Sequence, residues 1–176
     1  MKLNNYLPSK DNVYNFIFSF ILLSITLVLG YFYLPKKLQE YNNQRFEQQN
    51  YMEKKNEFIQ KLTILGQTRI YNAERFYKNS KENIGKNDLE KSWNDYMQSV
   101  VNWNKENISN SIFIGYYFDN SFKDKYNNDL VVRLSRLHET LVDLKNSKGI
   151  KDIDKLLENA KNGMYVFNEE LLNYKK

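Results

Sequence analysis

The sequence predicts an all-α protein with one N-terminal transmembrane helix, a stalk helix and an antiparallel bundle of about four helices. Three observations carry that prediction. Val13–Leu34 holds 22 residues without a charge. Beyond it, apolar residues recur at three- and four-residue intervals in several separate segments. Only Ser111–Asp119 (SIFIGYYFD) has strand-like composition, and with no second strand candidate it is expected to form a short helix or tight segment packed between helices. The chain divides accordingly into a tail (1–12), an anchor (13–34), a stalk (35–57) and a helical-bundle domain (58–176).

At about 1.5 Å per residue the anchor gives roughly 33 Å of helix, enough for a hydrocarbon core of about 30 Å. Fourteen of its residues are Val, Ile, Leu or Phe, whose insertion energies add up to several kcal/mol in favour of the bilayer. Tyr14, Phe16 and Phe18 at one end and Tyr31, Phe32 and Tyr33 at the other suit the two interfaces. A cleaved secretory signal is the rival reading. The length of the run and the bulky residues directly after Gly30 favour an uncleaved anchor. Thr26 and Gly30 have the small-xxx-small spacing through which two spans approach each other, so a homodimer is an expected partner state. Pro35 disfavours helix at Leu34 and can open a new one, which predicts a bend.

Residues 36–57 offer only Leu38, Tyr41, Phe46, Tyr51 and Met52 for burial, too few for a core helix. From Phe58 a stripe of Phe58, Leu62, Leu65, Arg69 and Phe76, widened by Ile59, Ile70, Ala73 and Tyr77, defines the first head helix, ending near Gly85. Asn87 and Glu90 have capping-box spacing for a second helix, Asp88 to about Asn104. Leu89, Trp93, Tyr96, Met97 and Val100 face inward there, with Trp93 in the core and Trp103 near the helix end. Leu130, Leu134, Leu137, Leu141 and Leu144 mark a third helix, with Asn127, Asn128 and Asp129 as caps. Ser147, Lys148 and Gly149 break it. Asp152 caps a last helix whose inward face is Ile153, Leu156, Leu157, Ala160, Met164, Phe167 and Leu171, and Gly163 suggests a close helix approach.

Composition narrows the function classes. The absence of cysteine removes disulfides, thiolate ligands and thiol nucleophiles together. A net charge of +5 with Lys and Glu interspersed is a solvated surface, and no nucleic-acid partner is expected. The single histidine, His138, has no second histidine at metal-binding spacing, and glycines are scattered singly, so no metal, cofactor or catalytic site is predicted. Frequent Asn, Lys, Ile and Tyr point to an AT-rich coding genome and a bacterial source.

With an anchor, a stalk and a bundle but no reactive motif, the chain is expected not to be an enzyme. The expected role is a single-pass inner-membrane protein whose extracytoplasmic head docks on another membrane or periplasmic protein. Basic residues follow the span, yet a long domain translocates largely regardless of charge, which favours the head outside the cytoplasm. Trp93, Tyr96, Trp103, Asn104, Tyr116 and Tyr117 are the candidate contacts for a partner or ligand. The layout resembles the extracytoplasmic helical-bundle sensor domains of bacterial receptors, in that a span runs into the first long helix of a bundle. That resemblance implies a ligand-sensing head as one alternative function. An immunity or exclusion protein against a toxin or phage is another.

Overall fold

The computed structural model describes residues 10–82, 84–146 and 152–174. The break expected at Ser147, Lys148 and Gly149 and the first nine residues of the expected tail lie outside them. Among the described residues the chain is all-helical, with no strand. It divides into two units, Met1–Met52 and Glu53–Lys176.

In the first unit, α1 (Lys10–Val28) is followed by a π-helical turn, Leu29–Tyr33, and by the start of α2 (Leu34–Lys81). Helix therefore begins inside the expected tail. Among the described residues one helix is long and apolar enough to cross a membrane, and none of its apolar window is buried within the protein. The hydroxyls of Ser24 and Thr26 donate to the carbonyls of Phe20 and Leu22 at 2.8 and 2.9 Å, so neither is left without a partner.

Pro35 does not start a new helix. Leu34 stays helical (φ −64°, ψ −44°), and its N–H donates five residues back to the carbonyl of Leu29. Proline lacks an N–H, and its ring crowds the carbonyl four residues earlier, so the widened turn just before it takes up the mismatch. The following residues of α2 are exposed as far as Asn50.

The second unit holds the rest of α2 with α3 (Lys86–Tyr117), α4 (Asn120–Lys125), α5 (Val131–Lys145) and α6 (Ile153–Asn173). On α2 the buried residues Lys55, Phe58, Leu62, Gly66, Arg69, Ala73 and Phe76 follow steps of three or four, the stripe that a helix lays against neighbours. Gly66 is part of that seam because of α6: a side chain there would run into the thioether of Met164. Gly163 is approached as expected, by Arg133 of α5, whose Cδ would lie 2.8 Å from an added Cβ.

α3 corrects two expectations. It is one helix of 32 residues, so SIFIGYY forms its last turns rather than a separate segment. Nothing between Asn104 and Ser111 can break a helix, and Gly115 alone does not. Trp103 consequently sits in mid-helix on the seam Tyr96, Val100, Trp103, Asn110, Ile114, Tyr117 and is fully buried, whereas Trp93 is half-buried. Trp103 is thus deeper than the expected helix-end position, and Trp93, expected in the core, is half-buried against Phe76 and Tyr96.

The caps also differ. Gly85 precedes α3 without a side-chain hydrogen bond, so the Asn87–Glu90 box is not formed. Asn127, Asn128 and Asp129 lie in a second π-helical turn, Tyr126–Leu130, which runs straight into α5. The cap of that stretch is Asp119, which accepts from the Phe122 N–H at 3.0 Å. Asp152 precedes α6 as expected but has left-handed backbone (φ 64°) and no side-chain cap bond. Leu130, Leu134, Leu137 and Leu141 are buried, as are Ile153, Leu157, Ala160, Met164, Phe167 and Leu171 on α6.

Removing a buried leucine costs lost transfer energy plus a cavity. Leu134→Ala is expected to lower the unfolding free energy of the head by about 2–5 kcal/mol. Leu172→Ala, on the exposed face of α6, is expected to change it by less than about 0.5 kcal/mol. Denaturant titration followed by circular dichroism checks both.

Candidate interaction surfaces and the polar core

The centre of the head is polar. Arg69 is 4% exposed on α2. Its Nη2 donates to the carbonyl of Leu134 on α5 at 3.0 Å, and its guanidinium carbon lies 5.9 Å from the centre of the Trp103 ring. No carboxylate pairs with it among the described residues; the phenols of Tyr96 and Tyr126 are the groups that favour its charge. Burial still holds its pKa below the ordinary arginine value.

Around it, the Tyr96 hydroxyl lies 3.1 Å from Nδ1 of His138, and the Tyr126 hydroxyl donates to Oδ1 of Asn107 at 2.8 Å. Burial pushes the Tyr96 phenol up to about 12 and raises that of Tyr126 as well, so both stay protonated at neutral pH. Burial, and then the charge of Arg69, lower the pKa of His138. Among the described residues Nδ2 of Asn110, beside Tyr126 in the same core, makes no well-formed hydrogen bond. The cluster joins α2, α3 and α5 through bonds that a slipped register would leave unmade.

The candidate contact residues separate into two groups. Trp93, Tyr96 and Trp103 pack within the head: the Trp93 ring lies 4.9 Å from Phe76 and 5.7 Å from Tyr96, and Trp103 lies 6.0 Å from Tyr126. Tyr117 is buried too, stacked on Phe58 at 5.7 Å. Asn104 and Tyr116 are exposed. On α3, Tyr116 continues a line of exposed apolar residues through Ile112 and Ile108, flanked by Phe113 and Val101. Steps of four place these on one side of the helix. Gly30 of the first unit is open, with nothing within 4 Å of an added Cβ.

Two features had no counterpart in the sequence reading. Lys55 is buried under aromatic rings, its ammonium 4.6 Å from the centre of Phe118 and 5.2 Å from that of Tyr174. A groove of about 600 Å³ also runs between α2 and α6, floored by Ile70 and Met164 and walled by Tyr71 and Tyr165. The signal for it was present as apolar residues off the seam, Tyr71, Tyr165 and Leu172, which a core stripe does not need.

Among the described residues no three metal-ligating side chains come together. Comparison with protein-family models, with curated proteins and with solved structures finds no match.

His138 makes the head acid-sensitive in a defined direction. A histidine whose folded pKa lies below its unfolded value binds more protons when unfolded, so stability rises with pH. The full contribution is expected above about pH 6.5 and is lost progressively below it as the folded pKa is approached. Denaturant midpoints across that range check this, with His138→Gln expected to flatten the slope.

Proposed function

We propose that the chain is a non-catalytic, single-pass membrane protein whose head is a protein–protein interaction module. The apolar helix left wholly unburied by the rest of the protein carries this reading, since so much bare hydrocarbon is stable in a bilayer and not in water. The membrane is the bacterial inner membrane, spanned over 13–34, with the head in the periplasm. The head itself is an antiparallel, up-and-down bundle. Supporting that arrangement, Lys61 pairs with Glu106 and Asn72 with Asp95 between α2 and α3, Tyr77 meets Asp154 and Glu74 meets Lys161 between α2 and α6, and Arg133 meets Asn159 between α5 and α6. Partner numbers fall as helix numbers rise.

The partner is another membrane or periplasmic protein, and its contact is the α3 line of Ile108, Ile112 and Tyr116. Contiguous exposed apolar side chains of this kind mark interaction sites. The open Gly30 face, with Thr26 one turn away, supports pairing of two spans.

Carbonate-washed membranes are expected to retain the full-length chain, and alkaline phosphatase joined to its carboxyl end is expected to be active, which requires export. Recovery in the wash, or a mature chain beginning after Gly30, overturns the anchor. Ile112→Arg is expected to leave unfolding free energy within about 0.5 kcal/mol of wild type while abolishing crosslinks to the co-purifying partner. Unchanged crosslinking would remove α3 as the docking face.

A further inference from the structure

We propose that the groove between α2 and α6 is a binding site for a small apolar organic cation, an ammonium carried on a hydrocarbon or aryl body. Its volume of about 600 Å³ lies within the range of small-molecule sites, roughly 300–1,000 Å³. Ile70 and Met164, 5% and 2% exposed, form an apolar floor on which a hydrocarbon body can lie. Tyr71 and Tyr165 stand exposed on opposite walls, and aromatic faces attract cations.

The charge of the site follows from its pairs. Lys161 is bound to Glu74 at 2.7 Å across the groove, so these two lining charges cancel. Glu169 also lines the groove and has no ion-pair partner among the described residues. One uncompensated carboxylate therefore faces an apolar cleft. Asn168 beside it is 9% exposed and lines the groove, and among the described residues its Oδ1, which faces inward, has no hydrogen-bond donor. A buried acceptor left unmet is costly. Binding an ammonium there requires rotation about the soft terminal torsion of the amide, which brings the oxygen to the groove and carries Nδ2 inward. An ammonium meets the carboxylate and the amide oxygen together, while its body covers Ile70 and Met164.

This site is separate from the α3 docking face and does not depend on it. The test uses the full-length chain in lipid nanodiscs and two probes with the same body and opposite charge, 3-phenylpropylammonium and 4-phenylbutyrate, in calorimetric titration. Saturable binding of the cation and none of the anion is expected. Glu169→Gln is expected to weaken the cation about tenfold, the loss of one charge-assisted contact. Tyr165→Ala, on an exposed residue, is expected to weaken it as well, with an unchanged thermal transition showing that both variants fold. Equal binding of the two probes, no saturable binding of the cation up to about 10 mM, or a Glu169→Gln variant that binds like the wild type would overturn the proposal.

Discussion

The head is arranged around a buried guanidinium. Arg69 reaches from α2 to a carbonyl of α5 and lies beside two phenols and an indole rather than a carboxylate. A charge out of water is tolerated only where its donors are met. That requirement fixes where Leu134, Tyr96 and Trp103 must stand, and hence which turns of α2, α3 and α5 face one another. Tyr126 fits the same cluster because the π-helical turn at Tyr126–Leu130 brings both of its end residues to the core while the leucine seam of α5 continues. The apolar shell of leucines then closes around a polar centre already specific about register.

Much of this was legible in the sequence. Most of the leucine row of α5 and of the inward face of α6 can be read from spacing, because a helix face needs only local periodicity, although Leu144 and Leu156 at the margins are only half-buried. Arg69 itself sat visibly on the apolar stripe of α2, a charge where a core position was due. Element ends were less legible. Asn87 and Asn127–Asp129 have capping chemistry but no cap, since a polar side chain caps only where tertiary packing lets the helix begin. A helix ending at Asn104 puts Trp103 near its end; because α3 continues to Tyr117, Trp103 is a mid-helix core residue. The off-seam apolar residues of the α2–α6 groove, Tyr71, Tyr165 and Leu172, were visible, but not that they face one another, since the groove is made by two helices far apart in sequence.

The first unit obeys different physics. From Val13 to Asn50 no side chain is buried, and the hydroxyls of Ser24 and Thr26 are satisfied by their own helix. These two hydroxyls are thus met within their own helix, as a lipid surrounding would demand. The head meets its polar groups across helices instead. Where it fails to, at Asn110 and Asn168, the failures differ in place: one lies deep in the core and the other lines an open cleft.

Lys55 gives Tyr174, just after α6, a structural duty. Its ammonium is wedged against Phe118 and Tyr174 and lies 3.4 Å from the Tyr174 carbonyl, while the Tyr174 hydroxyl donates to the carbonyl of Phe118. The carboxyl end is therefore stitched into the fold beside the point where α2 enters the head. Anything grafted there needs a pliant spacer, because a cargo pulling directly on Tyr174 would uncover a lysine that the protein otherwise keeps dry.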